Sequence, residues 1–344
     1  MIDKKTVFVL GAGASCPYGY PSSARLREWI CHPEEFLNHQ HLWRDRSAQH
    51  ISVEQIKQFK DTFAKSSIKS IDTFMANNPK LAPAGKYLIA FEILRVEQNS
   101  LFGEEVKFQQ EKLDYALNHG DIKPYQLRLK PLFQGGDWYF YLYNRLIEGL
   151  VGQNALPDFS DGKIVFITFN YDRSLEHFLY VALRNSFTEI SEDQIVQSLK
   201  KLKILHVYGQ IAPLKWQNPN DYIEYKQQTD ELLLQRAANN IRTIYEEKQN
   251  PELIEAQSLL KQAKRIFFLG FGYAQENMDV LNLPGIVSES REIYGTAFGA
   301  ERKEIENIHN TIFNELKPDI LGNQKRSWVK IEDMECLKLL RNYL

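Results

Sequence analysis

Five short apolar runs punctuate the chain, and each ends in glycine or a polar side chain. Thr6-Val7-Phe8-Val9-Leu10 stops at Gly11-Ala12-Gly13-Ala14-Ser15, and Ile164-Val165-Phe166-Ile167-Thr168-Phe169 stops at Asn170-Tyr171-Asp172. Ile204-Leu205-His206-Val207-Tyr208 meets Gly209, Arg265-Ile266-Phe267-Phe268-Leu269 meets Gly270-Phe271-Gly272-Tyr273, and Glu292-Ile293-Tyr294 runs into Gly295-Thr296-Ala297-Phe298-Gly299. Short continuous apolar runs bounded by turn residues read as strands buried on both faces.

Between them the apolar positions recur at helical spacing. Ser22 or Ser23 starts a helix through Leu26. Ser52 and Gln55 form a capping box ahead of Ile56, Phe59 and Phe63, and Pro83 opens a run through Tyr87, Phe91 and Leu94. Trp138, Leu142, Leu146 and Leu150 follow the loop marked by Gly135 and Gly136. The aromatic stripe Trp138-Tyr139-Phe140-Tyr141 reads as core. A helix through Leu175, Phe178, Leu179 and Ala182 comes next, then a capping box of Ser191 and Gln194 on a helix ending near Lys201. Beyond Gly209 a long polar helical region is expected, with Leu232, Leu233, Ala237, Ile241 and Ile244 on one face. After it come a helix from Pro251 through Leu259 and Leu260, and a closing helix through Ile305, Ile308, Ile312 and Leu316.

Strands alternating with helices predict an α/β fold: a Rossmann-like, mostly parallel sheet with helices on both faces. The expected organisation is one domain over 1–330, with a helical module at about 51–150 inserted in it, and a short C-terminal helical tail at 331–344. The carboxyl ends of the strands should converge on one edge, where open α/β sheets bind ligands.

Composition narrows the partners. Forty-two basic against 44 acidic residues leave a formal net charge of −2, so no global field directs the chain to nucleic acid or an anionic membrane. Cys16, Cys31 and Cys336 form no C-x-x-C pair, which fits a reducing cytoplasm and excludes a four-cysteine zinc ribbon. No run approaches the ~18 apolar residues of a membrane span. His32, His39, His41 and His50 cluster with Cys31, yet their spacings match no zinc pattern, and no metal is expected.

The chemistry lies at the strand ends. Without Cβ atoms at Gly11 and Gly13 the first turn can let an anionic group approach its amides, a phosphate-cradle reading. A dinucleotide fingerprint would need a third glycine where Cys16 stands and an acidic residue ending a second strand, whereas Glu28 lies in a helical stretch. A bare strand and turn without ligand remains the alternative. Asn170 or Asp172 would in the plainest reading cap the following helix, and His206 would be a hydrogen-bonded core histidine. Together, the glycine-rich ends suit diphosphate and ribose, and Asn170, Asp172 and His206 supply functional groups.

Gly-Ala-Gly-Ala-Ser after the first strand, Thr168-x-Asn170-Tyr171-Asp172 after the second, His206-x-x-Gly209 in the third and Gly270-x-Gly272-Tyr273 late in the chain resemble the sirtuin superfamily. With Gly19-Tyr20-Pro21-Ser22 and Ser70-Ile71-Asp72-Thr73-Phe74, the set more closely resembles the bacterial sirtuin-like NADases of antiphage defence, over roughly residues 5–310. The resemblance implies that Gly11, Ala12, Gly13 and Ser15 hold the diphosphate of NAD, the substrate. It aligns Asn170 with the family's catalytic asparagine, Asp172 with the aspartate near the nicotinamide carboxamide and His206 with the catalytic histidine. Gly270, Gly272 and Thr296 would line the adenosine side. Gly19-Tyr20-Pro21-Ser22-Ser23-Ala24 departs from the Gly-x-Pro-Asp-Phe-Arg of the deacylating sirtuins, and the zinc ribbon is missing, which favours plain NAD⁺ hydrolysis over acyl-lysine chemistry. The expectation is a cytoplasmic NAD⁺ glycohydrolase that depletes NAD⁺ in antiphage abortive infection, controlled by homo-oligomerisation or by a separately encoded ATPase or sensor protein. A non-catalytic module binding NAD or ADP-ribose is the alternative.

Overall fold

The computed structural model describes residues 2–32, 51–99, 137–150, 152–243, 250–283, 291–313 and 328–344. His39, His41, His50, Gly135, Gly136, Ile244 and Leu316 lie outside the described residues. A six-stranded sheet carries the fold, built from β1 (Thr6–Leu10), β2 (Ile164–Thr168), β3 (Lys203–His206), β4 (Arg265–Leu269), β5 (Glu292–Thr296) and β6 (Val329–Glu332). The order is β3-β2-β1-β4-β5-β6 with every pairing parallel, the strand order of doubly wound Rossmann-type sheets. All five residues of β1 are buried. Successive strand side chains point to opposite faces, so both faces are covered, and the expected α/β class holds.

Register makes an aromatic ladder across the sheet. Phe8 is the partner of Phe166 on one side and Phe267 on the other, and Phe267 that of Tyr294. Their rings stack with centroids 5.2, 5.4 and 5.2 Å apart. Tyr343 then stacks on Tyr294 at 4.5 Å. Each such pair stabilises by about 0.5–1.5 kcal/mol beyond its burial.

The helices in chain order are α1 (Ser23–Cys31), α2 (Val53–Lys65), α3 (Ile71–Asn77), α4 (Ala82–Gln98), α5 (Trp138–Ile147) and α6 (Ser174–Ser186). They continue as α7 (Glu192–Lys201), α8 (Glu231–Asn240), α9 (Pro251–Gln262), α10 (Gln275–Leu281), α11 (Arg302–Phe313) and α12 (Cys336–Tyr343). Both capping boxes form: Ser52 with Gln55 opens α2, and Ser191 with Gln194 opens α7. Ser191→Ala should cost about 1 kcal/mol in chemical denaturation, because the Gln194 amide then loses its side-chain acceptor. Helix α4 is buried over most of its surface and packs against α1, α2, α3 and, from beyond β3, α8. Its low amphipathicity follows from that position.

Several features differ from the sequence reading, among them strand β6, whose last two residues lie in the tail expected to be helical. The stretch after Gly209 is not helical until Glu231; Pro213 and Pro219 interrupt it, and Arg173 holds it in place. The buried guanidinium donates to the carbonyls of Pro213 (3.1 Å), Glu224 (3.0 Å) and Ile223, and pairs two-fold with buried Glu97 at 2.9 and 2.8 Å. On α8, Leu232 is exposed while Leu233 and Ala237 are buried. Finally, Gly295 and Thr296 lie inside β5 rather than in a loop, because β6 pairs with them and extends the strand.

Candidate active site

The site forms where β1 and β4 lie side by side, the point at which the strand order reverses. After β1 the chain makes one helical turn, Ala12–Ser15, then a 3₁₀ turn, Cys16–Tyr18, closed by Gly19 at φ +91°. The glycines of this turn serve the approach of two backbones. Gly11 N–H donates to the Leu269 carbonyl and Gly13 N–H to that of Gly270, both at 3.0 Å, while Ala14 N–H returns to Gly11 at 2.9 Å. A Cβ on Gly11 would stand 2.5 Å from the Gly270 oxygen, and one on Gly13 2.8 Å from the Gly270 Cα. Two amides of the proposed phosphate cradle thus already have backbone acceptors. Thr296, expected on the adenosine side, accepts the Gly270 N–H at 2.8 Å and so fixes the end of β4. Gly272 differs: a Cβ there would meet no atom of the described residues within 4 Å.

One strand over, the end of β2 brings the polar residues in. Asn170 Nδ2 donates to the Gly11 carbonyl at 3.0 Å and to Ser15 Oγ at 2.9 Å. A carbonyl can only accept, so these bonds fix the amide's orientation. The other end, Oδ1, is buried without a hydrogen-bond partner among the described residues. A buried acceptor of that kind costs about 1–3 kcal/mol until something donates to it.

Two hydroxyl relays converge on Asp172. Asn170 donates to Ser15, whose hydroxyl is bonded to Asp172. From the other side the Tyr139 hydroxyl lies 2.9 Å from Ser174 Oγ, which donates to Asp172 Oδ1 together with the Ser174 N–H at 3.1 Å. Burial pushes the Asp172 carboxyl above the usual carboxylate range, against the opposing effect of these donors. Cys16 offers no thiolate here: although its residue surface is exposed, its sulfur turns to the Ala12 carbonyl, and burial with Asp172 nearby pushes the thiol up to about 11.

His206 ends β3 opposite Thr168 of β2 and lies behind Asn170. Its Nδ1 is 3.0 Å from the Asn170 main-chain oxygen and its Nε2 2.6 Å from Glu176 Oε1 in the first turn of α6. Between Asn170 and Asp172, Tyr171 donates to Asp72 of α3 at 2.7 Å, which ties the Ser70–Phe74 motif to the site loop. Of the aromatic stripe expected in the core, Trp138 and Tyr139 are buried, Tyr141 is half-buried and Phe140 is exposed. The stripe also covers the glycine turn, since Trp138 Nε1 donates to the Ala14 carbonyl at 2.8 Å and Tyr139 stacks on Tyr18 at 3.8 Å.

Asn170, Asp172, Ser15, His206 and the glycine turn therefore meet at one place. Glu176, Ser174 and Tyr139 join them without having been singled out by sequence. Their signal was faint, because a first-turn glutamate reads as a helix-dipole residue and Tyr139 as core. Among the described residues no group of His, Cys, Asp and Glu could hold a metal ion, and no helix is long and apolar enough to cross a membrane. The chain matches no protein-family model and no curated protein. Geometry defines the class: a doubly wound α/β protein of Rossmann type with a buried polar cluster at its switch point.

Proposed function

We propose that the chain is an NAD⁺ glycohydrolase, releasing nicotinamide and ADP-ribose, which acts as an NAD-depleting effector in antiphage defence. The observation that carries the reading is Asn170 Oδ1, a fixed buried acceptor beside the glycine turn that has no partner among the described residues, with Asp172 two residues away. The defence role, and control by self-assembly or a separate protein, rest on the motif resemblance.

In the reaction water replaces nicotinamide at the anomeric carbon. The carbon–nitrogen bond breaks with its electron pair going to the leaving ring, a carbon–oxygen bond forms, and one proton is released. The leaving group is already cationic in the substrate, so no strong general acid is needed; the glycosidase carboxylate pair is an analogy for the charge development only. What the chain must do is position the ribose and water and receive the proton. Asn170 Oδ1 supplies the acceptor that orients a hydroxyl or the water. Asp172, its carboxyl held up by burial and bonded to Ser15, would take the proton. Gly272, with no atom of the described residues near its Cβ position, would line the adenosine side.

The test is chromatographic detection of nicotinamide and ADP-ribose from NAD⁺ and purified protein, with oligomeric state followed alongside. Release of both supports the reading. Binding without cleavage, even in assembled protein, favours a regulatory NAD-binding module, and nicotinamide release only with an acyl-lysine peptide favours a deacylase. Gly272→Ala probes the binding surface separately. It should leave stability within about 0.5 kcal/mol in thermal melting, because no atom of the described residues stands near its Cβ, yet weaken NAD⁺ binding in calorimetry.

A further inference from the structure

Glu176 belongs to none of the sequence motifs, yet it governs what His206 can do. Both side chains are buried, at 2% and 7% exposure, and their contact is 2.6 Å. A main-chain carbonyl carries no proton, so the bond from His206 to the Asn170 oxygen requires hydrogen on Nδ1. On the far side one proton lies between Nε2 and the Glu176 carboxylate. While both bonds stand, the ring presents no lone pair to a ligand and cannot accept a proton from water.

Among the described residues, the charged groups that act on the ring are Glu176 from α6 and Asp172 from the loop after β2. Burial disfavours the imidazolium, but the charge and hydrogen bond of Glu176, the Asn170 carbonyl and Asp172 outweigh it and leave His206 above its ordinary value.

We infer that Glu176 is a positioning residue that holds His206 as an imidazolium strut between α6 and the Asn170 carbonyl, so that His206 acts through Asn170 and not as the proton acceptor. The strut fixes the main chain from which Asn170 reaches Gly11 and Ser15. Its consequence for turnover rests on the glycohydrolase reading; its protonation state does not. The linkage has a definite sign. A raised folded-state value gives stability that is fully present below the unfolded value near 6.5 and fades as pH rises through the folded-state value.

The test is ¹⁵N NMR of the histidine rings in the full chain between pH 5 and 9. The chain has eight histidines, and His206 is assigned by the signal lost in His206→Gln. At pH 7 the wild type should show two protonated ring nitrogens at His206. Glu176→Gln, which keeps the shape and removes the charge, should lower its midpoint by about one unit or more, tenfold in proton affinity. A neutral ring with one bare nitrogen at pH 7 in the wild type overturns the inference, and this reading needs only the assignment variant, not Glu176→Gln, to fold. An unchanged midpoint in folded Glu176→Gln overturns it as well. In the turnover assay the alkaline limb of kcat should move to lower pH in Glu176→Gln by the same amount; an unmoved limb refutes the link to Asn170. Absence of nicotinamide release from the wild type would count against the glycohydrolase reading alone, leaving the ring measurement intact.

Discussion

Asn170→Ala should lower nicotinamide release by on the order of 10²-fold or more while the protein stays folded. The two consequences separate because the two ends of this amide do different things. Nδ2 serves the fold, donating to Gly11 and Ser15. Its removal costs about 1–2 kcal/mol, limited because the Gly11 carbonyl keeps the Ala14 N–H as a donor. Oδ1 has no hydrogen-bond partner among the described residues and is, on the proposed reading, the acceptor for ribose or water. Loss of the acceptor should therefore fall on kcat more than on KM, if its partner is the ribose or water of the transition state. Asn170→Asp sharpens the test. A carboxylate cannot donate to the Gly11 carbonyl, so this near-isosteric change should be more destabilising than alanine at pH 8 and recover at acid pH, where the carboxyl regains a proton. Activity within threefold of wild type in a folded Asn170→Ala protein would remove Asn170 from the chemistry.

The strand ends were legible because a parallel sheet buried on both faces leaves continuous apolar runs, and polar residues can appear only where those runs stop. The sixth strand escaped because Val329-Lys330-Ile331-Glu332 is four residues long and alternates, the pattern of an edge rather than a buried strand. Its pairing in turn carried β5 onward through Gly295 and Thr296. The glycines were found for a partly different reason than the one that holds them. A sequence shows that Cβ is absent at Gly11 and Gly13; whether a ligand or a second backbone fills the space depends on β1 lying beside β4, with Leu10 opposite Leu269. Glu176 was invisible for the same kind of reason. Its partner is thirty residues away, and only the register of Thr168 with His206 brings the histidine to the start of α6.

Gly270→Ala should be the most damaging single substitution in the fold, with a loss of more than about 4–5 kcal/mol and little soluble protein. Gly270 has φ +57°, a conformation that costs alanine about 1–2 kcal/mol before any contact is considered. The added Cβ would then stand 2.0 Å from the Ala14 nitrogen and 2.2 Å from the Gly13 carbonyl carbon. Both are backbone atoms and cannot rotate away as a side-chain tip could. Relief requires the end of β4 to part from the glycine turn. That movement breaks the bonds of Gly11 to Leu269 and Gly13 to Gly270, and strains the bond of Gly270 to Thr296. It also displaces the Gly11 carbonyl that orients Asn170, so surviving folded protein should be inactive as well. The total is comparable to the 5–15 kcal/mol that holds a typical domain together. Denaturation of Gly270→Ala beside Gly272→Ala isolates the cause, since the two changes add the same methyl group two residues apart. Equal and small losses would mean that the β1 turn and β4 do not meet as described. A collapse confined to Gly270→Ala would show that the switch point is closed by backbone on backbone.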